Sequence, residues 1–466
     1  MEKRKRSNTP ERGTGTTKSS RCIVINPFHG GSHKHFIDSI LDYLKDHLTT
    51  TEREHLPMLY TLPGKKWHWR LLCSAAHFAE QIPTSPIYDN KSGFLFTTSL
   101  LNLADLVALR PDLGKRTKIL YFHENQFEYP ESMGSQQQKQ GEEQYIKRTK
   151  WSEYGWAQIM SCLVADSILF NSEHNRTTFL NGVQQLVHSI PKPSRPPLNI
   201  SKKISSKSKV MYYPISLPPS LSSLQESNTS NQKPLHVVWN HRWEHDKGPN
   251  ELLELMQRWN LQTRYKMKLS IIGKQYSNRP PAFDDIYNEF WNRDENLSSS
   301  ILLKHFGPIH DKKSYYKLLM NADIVLSTAN HEFYGVAIME GVLCGCIPLC
   351  PNRLSYPELY PKMCLYNTKN QMFKMLKSFS SNLYKFRNVT KFNIQNNIDI
   401  QKFTLNHLGS KYMKLLGYTI GDDNNDGGRS YRNQKYTFIY FLCCIVAAVA
   451  TFSLLKLTKV EPVTFG

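Results

Sequence analysis

The sequence lacks the features that mark most secreted proteins. No apolar segment follows the basic residues of its N-terminus, MEKRKRSNTPERGTGTTKSS, so we expect no cleavable signal peptide. Its nine cysteines are an odd number, and their spacings fit no disulfide framework. We therefore interpret them as reduced, buried cysteines of an intracellular protein, and we expect a cytoplasmic location, with the nucleus as a further compartment.

Acidic residues are also in short supply. Lysine and arginine number 59 against 39 aspartates and glutamates, which gives a formal net charge of +20. A surplus of this size favours a polyanionic partner, either nucleic acid or an anionic membrane surface. The alternative is that basic tails keep the chain soluble and have no specific partner.

A long hydrophobic run lies near the C-terminus. Residues 436–455, YTFIYFLCCIVAAVATFSLL, contain no charge and are flanked by basic residues on both sides. A run of this length can cross the core of a bilayer, so we expect a transmembrane tail anchor that leaves the rest of the chain in the cytosol. A buried C-terminal helix, or a C-terminus without a membrane role, is the alternative.

Short β-branched and apolar runs alternate with segments of helical spacing along most of the chain. The pattern begins at RCIVIN (21–26), which a glycine turn and a helical segment follow. Proline, serine and lysine interrupt it over residues 191–234, and it restarts at LHVVWN (235–240). This alternation predicts an α/β protein with two Rossmann-like domains facing each other across a cleft.

The chain therefore divides into six predicted segments. They are a disordered basic tail (1–20), an N-terminal α/β domain (21–190), a linker (191–234), a C-terminal α/β domain (235–418), a polar linker (419–435) and the hydrophobic run (436–455). Further strands are predicted at 92–99, 117–125, 165–172, 266–273, 301–307, 322–328 and 346–350.

Two glutamates lie eight residues apart in an apolar stretch, ANHEFYGVAIMEG. The pattern predicts a strand, a tight loop with Glu332, and a helix that begins near Gly335 and contains Glu340. The start of such a helix can bind an anion, and a buried carboxylate needs hydrogen-bond donors such as the hydroxyls of a ribose. Alternatively, Glu332 caps the helix, and Glu340 faces solvent or pairs with a lysine.

A second cluster follows the predicted strand LHVVWN. The loop HRWEHDKG contains Arg242 and Lys247, and Gly248 follows them. An arginine fork and a lysine at the carboxyl end of a strand suit a diphosphate. A basic surface loop is the alternative.

The segment NPFHGGSHKHF follows the first strand. Gly30 and Gly31 allow the backbone to approach a ligand closely, and Ser32 is predicted to cap the next helix. The three histidines of this segment lack a matching set of cysteines or carboxylates, so we expect no metal.

Another loop, YFHENQFEYP, follows a predicted strand of the same domain. It contains His123 and has the composition of an active-site loop, although a structural histidine is an open alternative.

Together these motifs resemble those of retaining nucleotide-sugar glycosyltransferases of the GT-B fold, of the glycosyltransferase family 4 type. The resemblance covers about residues 21–418 and rests on E-x7-E and on N-H-R-W-x-x-x-K-G. NPFHGGSHKHF, KKWHWR (65–70), YFHENQFEYP and NSEHNRTTFL are similar to segments of the tRNA-queuosine mannosyltransferase family. That resemblance implies transfer of mannose from GDP-mannose to the queuosine of tRNA(Asp), with no metal or other cofactor.

The resemblance also implies a role for each motif. Arg242 and Lys247 would neutralise the donor diphosphate, with help from the backbone around Gly335 and Val336. Glu340 would bind the ribose, and Glu332 would contact the transferred sugar. His123 would lie near the reacting carbon, and Gly30 and Gly31 would close over the phosphates. Phe333 departs from the family, which usually has glycine directly after the first glutamate.

The tRNA would contact the segment KKWHWR, according to this hypothesis. Trp67 and Trp69 are candidates for stacking on the acceptor, between Lys65, Lys66 and Arg70. The alternative for this segment is the edge of an aromatic core.

Two other functions compete with tRNA modification. A membrane-associated glycosyltransferase acting on a lipid or lipid-linked glycan would use the same cleft and the run 436–455. A non-catalytic nucleotide- or RNA-binding protein is the third reading, and the intact Glu332, Glu340, Arg242 and Lys247 argue against it.

Overall fold

The computed structural model describes residues 22–84, 93–128, 140–196, 199–216, 233–276, 279–292 and 299–418. The predicted basic tail, the polar linker 419–435 and the hydrophobic run 436–455 lie outside the described residues. Within the described residues, no helix combines the length and the apolar character needed to span a bilayer.

The N-terminal domain is built on a parallel sheet of six strands in the order β2-β1-β3-β4-β5-β6. Its strands are β1 (Cys22–His29), β2 (Met58–Pro63), β3 (Phe94–Thr98), β4 (Thr117–Phe122), β5 (Ser167–Phe170) and β6 (Ser208–Val210). Its helices are α1 (Gly31–His47), α2 (Thr50–Arg53), α3 (Trp67–Gln81), α4 (Leu103–Leu109), α5 (Pro111–Gly114), α6 (Gln140–Val164), α7 (Glu173–Ser189) and α8 (Ile200–Ser205).

The C-terminal domain repeats this architecture with the strand order β12-β11-β10-β7-β8-β9. Its strands are β7 (Leu235–Asn240), β8 (Met267–Ile272), β9 (Ile301–Gly307), β10 (Ile324–Leu326), β11 (Ile347–Pro351) and β12 (Leu365–Tyr366). Its helices are α9 (Pro249–Gln262), α10 (Ala282–Ile286), α11 (Lys312–Met320), α12 (Val336–Leu343), α13 (Tyr356–Leu359), α14 (Lys369–Ser381), α15 (Leu383–Lys385), α16 (Lys391–Asn396) and α17 (Leu405–Leu415).

The predicted strands are confirmed, and their composition explains why. Helices cover both faces of a parallel sheet, so its strands are apolar on both sides. In β7 and β8, for example, all but one residue is buried. Because every described strand pairing is parallel, the carboxyl ends of the strands gather at one edge in each domain, and the predicted motifs follow those ends.

The structure differs from the sequence analysis in two places. The described part of the predicted linker 191–234 includes α8 and β6, and β6 pairs with β5 as the sixth strand of the first sheet. The run Ser208–Val210 is too short and too polar to be recognised as a strand from the sequence. The prediction that Ser32 caps a helix is also wrong, because α1 begins one residue earlier, at Gly31, with Gly30 at its N-cap. A side-chain cap has to precede the first turn.

Buried tyrosines connect the two domains within one compact unit that ends at Tyr418. The Tyr213 hydroxyl donates to the carbonyl of Ser32 at 3.1 Å, and the Tyr334 hydroxyl donates to the carbonyl of Tyr213 at 3.0 Å. From α17, the Tyr412 hydroxyl donates to the carbonyl of Tyr212 at 2.8 Å. These phenols bury apolar area while their hydroxyl groups remain hydrogen-bonded.

The start of α7 is capped from both domains. Ser172 Oγ accepts from the backbone N–H of Asn175 at 3.0 Å, as an N-cap does, and donates to the carbonyl of Phe333 at 2.6 Å. The carboxylate of Glu358, at α13 of the other domain, accepts from the N–H of Glu173 at 2.8 Å and from the N–H of His174 at 3.3 Å. A carboxylate is stabilising at the positive end of a helix, so this contact joins the domains.

Replacing Glu358 with alanine tests this contact. We expect Glu358→Ala to lower the free energy of unfolding by about 1 kcal/mol, the usual contribution of a cap. The measurement is the midpoint of denaturant unfolding. The matched control is Glu254→Ala, because Glu254 pairs with Lys369 on the surface and an exposed pair contributes little. Equal midpoints for the two variants would contradict the capping role.

Candidate active site

The loop predicted to bind a diphosphate, residues 241–248 and called the diphosphate loop below, connects β7 to α9 at the carboxyl edge of the second sheet. Gly248 closes the loop with φ +68°, in the left-handed region that favours glycine. A Cβ atom here would lie 2.1 Å from the carbonyl oxygen of Thr328. The Thr328 hydroxyl donates to the carbonyls of Lys247 and Gly248 at 2.9 and 2.8 Å. The loop is therefore held against the end of β10.

Lys247 is the buried centre of this edge. Its side chain is 6% exposed, and its ammonium lies 2.9 Å from the Asp246 carboxylate and 3.3 Å from the Glu332 carboxylate. The same Nζ donates to the carbonyl of His331 at 2.8 Å. The backbone N–H groups of Asn330 and His331 donate in turn to the carbonyl of Asp246. The two loops predicted to form the site are therefore joined directly.

The charges of this network stabilise each other. Burial raises the pKa of Glu332, but the positive field of Lys247 and further nearby basic groups outweighs burial and lowers this pKa to about 2. Burial and Lys247 lower the pKa of His331 to about 4 and that of His241 to about 3. At neutral pH the site therefore contains an ionised glutamate and two neutral imidazoles.

Arg242 lies at the more open side of the loop. Its side chain is 45% exposed, and its guanidinium lies 3.1 Å from the Glu244 carboxylate. It is also close enough to Glu332 and Glu124 to lower the pKa of both carboxyls. The structure thus brings Arg242, Lys247 and Glu332 together.

The loop after β10 leads into α12 at Gly335, which has φ +84° and caps the helix without a side chain. The first N–H groups of a helix have no partner within it, so the amides around Val336 are available to an acceptor. Along the same helix, Glu340 accepts hydrogen bonds from the hydroxyls of Tyr315 at 2.6 Å and Tyr316 at 3.2 Å. Burial raises the pKa of Glu340, and these two donors partly offset the effect.

Gly30 and Gly31, called the glycine loop below, are one part of the predicted site that belongs to the N-terminal domain. Gly30 precedes α1, and a Cβ atom on it would lie 3.0 Å from Cα of Gly64. The segment 65–70 begins directly after Gly64, so the glycine loop and the KKWHWR segment are neighbours. Lys66 caps α3 with φ +54°.

The two tryptophans of KKWHWR have different surroundings. Trp67 packs edge-on against Tyr154 of α6, with ring centroids 5.4 Å apart. Trp69 is 56% exposed. Trp67 therefore matches the aromatic-edge alternative, whereas Trp69 is accessible to a partner.

His123 follows β4 and is buried, with 7% of its surface exposed. Its ring lies 4.1 Å from the ring of His33 and packs edge-on against Phe36. Burial lowers the pKa of His123 well below its ordinary value. Its Nε2 has no hydrogen-bond partner among the described residues.

Phe333 is explained by the contact between the domains. It is 5% exposed, and its ring lies between His331, at 4.6 Å edge-on, and His174 of the N-terminal domain, at 6.3 Å. Its carbonyl accepts the Ser172 hydrogen bond. A glycine at this position would lose the ring contacts with both domains.

Several residues of the site were missing from the sequence analysis. Tyr315 and Tyr316 are consecutive residues of α11, so nothing in their spacing relates them to a glutamate 24 positions later. Asp246 was visible between Arg242 and Lys247 but carried no predicted role. In the described part of the chain, no three His, Cys, Asp or Glu side chains form a group that could hold a metal ion.

Known structures share this architecture. HepE from Anabaena in complex with UDP is similar, with a TM-score of 0.54 and 13% identity, covering 85% of this chain and 99% of that chain. The N-terminal domain of trehalose-6-phosphate phosphatase from Candida albicans has a TM-score of 0.55 and 13% identity, covering 87% of this chain and 98% of that chain. These similarities concern the fold alone, and they confirm two parallel α/β domains resembling GT-B glycosyltransferases.

Family models and a curated relative are more specific. Residues 21–215 match the tRNA-queuosine alpha-mannosyltransferase N-terminal model, and residues 222–360 match the model for glycosyl transferases group 1. The tRNA-queuosine alpha-mannosyltransferase of Drosophila melanogaster is 36% identical over 408 residues, which cover 86% of this chain and 98% of the fly protein. The chain is therefore a glycosyltransferase, and it belongs to the tRNA-queuosine alpha-mannosyltransferase family.

Proposed function

We propose that this protein transfers mannose from GDP-mannose to queuosine, at the wobble position of the anticodon of tRNA(Asp), with retention of configuration at the sugar. Membership of the family supports the acceptor and the sugar. The observation that carries the proposal is the meeting of Arg242, Lys247 and Glu332 at the carboxyl edge of the second sheet, where α/β sheets bind ligands.

The donor binds along this edge in our proposal. Arg242 and Lys247 neutralise the diphosphate, and the amides of Gly335 and Val336 donate to its oxygens. Glu340 accepts from the ribose hydroxyls, since each carboxylate oxygen can accept more than the single tyrosine hydrogen bond it now has. The Lys247 ammonium has three N–H donors and three oxygen partners, so donating to the diphosphate would replace one of these partners.

The N-terminal domain closes the site from the other side. Gly30 and Gly31 of this domain approach the phosphates, and His123 lies near the anomeric carbon of the mannose. Glu332 of the C-terminal domain contacts the mannose. A hydroxyl of the queuosine cyclopentene ring attacks that carbon on the face from which the diphosphate departs. The bond from the anomeric carbon to the phosphate oxygen breaks, and the hydroxyl proton passes to the departing phosphate. The positive groups stabilise the developing charge, so we expect no metal requirement.

The tRNA lies against the positively charged exterior. In this proposal Lys65, Lys66 and Arg70 contact phosphates beside the glycine loop, and the exposed ring of Trp69 stacks on a base. The net charge of +20 then provides affinity that does not depend on sequence.

The decisive experiment measures the product in cells and in vitro. We expect tRNA(Asp) from cells lacking the protein to contain queuosine without mannose, as determined by mass spectrometry of nucleosides. The purified protein should restore the mannose with GDP-mannose and not with UDP-glucose. Unchanged mannosyl-queuosine in the deficient cells would contradict the proposal.

Arg242→Ala tests the donor site. We expect it to lower kcat/KM for mannose transfer about a hundredfold, because a preorganised charge on the leaving group is removed. The measurement is steady-state transfer to queuosine-containing tRNA. The control is Arg264→Ala, an exposed arginine at the opposite edge of the same sheet, which should retain wild-type kinetics. Normal turnover by Arg242→Ala would make the assignment wrong.

Trp69→Ala tests the tRNA surface. Loss of one stacked base costs about 1–3 kcal/mol, so we expect KM for tRNA to rise about tenfold while KM for GDP-mannose stays unchanged. Trp291→Ala is the matched control, because Trp291 is 43% exposed in the other domain. Equal tRNA KM values for the two variants would remove Trp69 from the interface.

A further inference from the structure

Glu124 has no role in the donor site described above. It follows His123 directly after β4, at the carboxyl edge of the first sheet, and its carbonyl accepts from Ser99 Oγ at 3.1 Å. Its side chain is 22% exposed, and the carboxylate lies 3.9 Å from Nε2 of His33 in α1. The loop backbone is thus fixed, while the carboxylate remains partly exposed.

Charges of the diphosphate loop and of the loop after β10 act on the Glu124 carboxylate. Burial alone would raise its pKa, but His33, Arg242 and His331 together lower it. The Glu124 carboxylate also interacts with Glu244 of the diphosphate loop. Burial is the main cause of the raised pKa of Glu244, and the charge of Glu124 adds to the effect. Glu124 is therefore ionised at neutral pH and lies within electrostatic reach of the donor loops.

Negative charge is in excess around this carboxylate. The described charged side chains that interact with Glu124 or with the diphosphate loop include four carboxylates and two permanent cations. The carboxylates are Glu124, Glu244, Asp246 and Glu332, and the cations are Arg242 and Lys247. A bound diphosphate adds further negative charge. The site therefore favours an acceptor that brings a positive charge of its own.

Two buried histidines adjoin Glu124, and each has a ring nitrogen without a hydrogen-bond partner among the described residues. His33 and His123 are 6% and 7% exposed, and their rings are 4.1 Å apart. Neither His33 Nδ1 nor His123 Nε2 has a hydrogen-bond partner among the described residues. Leaving a buried polar atom without a partner is costly, and both atoms belong to rings next to Glu124.

We propose that Glu124 recognises the protonated secondary amine of queuosine and so selects the acceptor. This inference rests on the proposed function. In queuosine the amine is attached to the cyclopentene ring that carries the acceptor hydroxyls, and it is cationic at neutral pH. A charge-assisted hydrogen bond from this ammonium to Glu124 positions the ring between the two domains. Guanosine lacks the amine and gains nothing from Glu124.

Glu124→Gln tests this role, because it keeps the shape of the side chain and removes its charge. We expect KM for queuosine-containing tRNA to rise about tenfold or more, with a much smaller change in kcat. KM for GDP-mannose should rise much less than KM for the tRNA, because Glu124 acts on the donor loops only through its charge and does not contact the donor in this proposal. Glu128→Gln removes a charge from the same loop and should leave both measurements unchanged. Glu124→Asp retains the charge and should recover part of the affinity.

The pH dependence provides an independent readout. Because the pKa of Glu124 is lowered, its carboxylate stays ionised while the amine of queuosine titrates. The titratable or charged groups that act on Glu124 are His33, Arg242, Glu244 and His331. Arg242 keeps its charge, and His331, with its pKa of about 4, stays neutral. We expect wild-type kcat/KM for tRNA to fall as pH rises through the pKa of the amine. The fall should be much weaker in Glu124→Gln.

The outcomes separate this proposal from the proposed function. If the wild-type protein cannot mannosylate queuosine-containing tRNA, the proposed function fails. If it can, and Glu124→Gln has the same tRNA KM and the same pH profile, the amine-binding role alone is overturned. Equal rises in KM for the tRNA and for GDP-mannose would also overturn it, because they would place Glu124 on the donor side.

Discussion

The buried ammonium of Lys247 connects the two loops at the carboxyl edge of the second sheet. Burying a charge is expensive unless partners replace its water, and here two carboxylates and a carbonyl do so. These oxygens come from the diphosphate loop and from the loop after β10. The ion pair therefore sets the distance between the diphosphate loop and Glu332. Gly248 allows the tight closure that brings Lys247 into this position.

The loop that contains Glu332 also serves the domain boundary. Phe333 places its ring between histidines of the two domains and accepts a hydrogen bond from the N-cap of α7. Glu358 adds a second contact to the same helix end. The sugar-contacting glutamate of our proposal is thus one residue away from the interface. This proximity gives a physical reason for phenylalanine at position 333.

The charge of the cleft differs from that of the whole chain. The protein has a formal net charge of +20, yet carboxylates predominate among the charged groups around Glu124 and the diphosphate loop. Burial keeps His123, His241 and His331 neutral. A basic exterior suits the phosphates of an RNA, whereas an acidic interior suits a cationic modified base. Long-range attraction and local selection can therefore act on different parts of the same acceptor.

The two α/β domains could be predicted from the sequence, since short apolar runs that alternate with helical segments indicate buried parallel strands. The sequence also predicted that Arg242, Lys247 and Glu332 meet, because the carboxyl ends of parallel strands share one edge. The groups that pair with them became known only from the folded structure. The tyrosines that hold Glu340, the short strand β6 and the ring contacts of Phe333 depend on packing between distant segments, and local periodicity carries no information about such contacts.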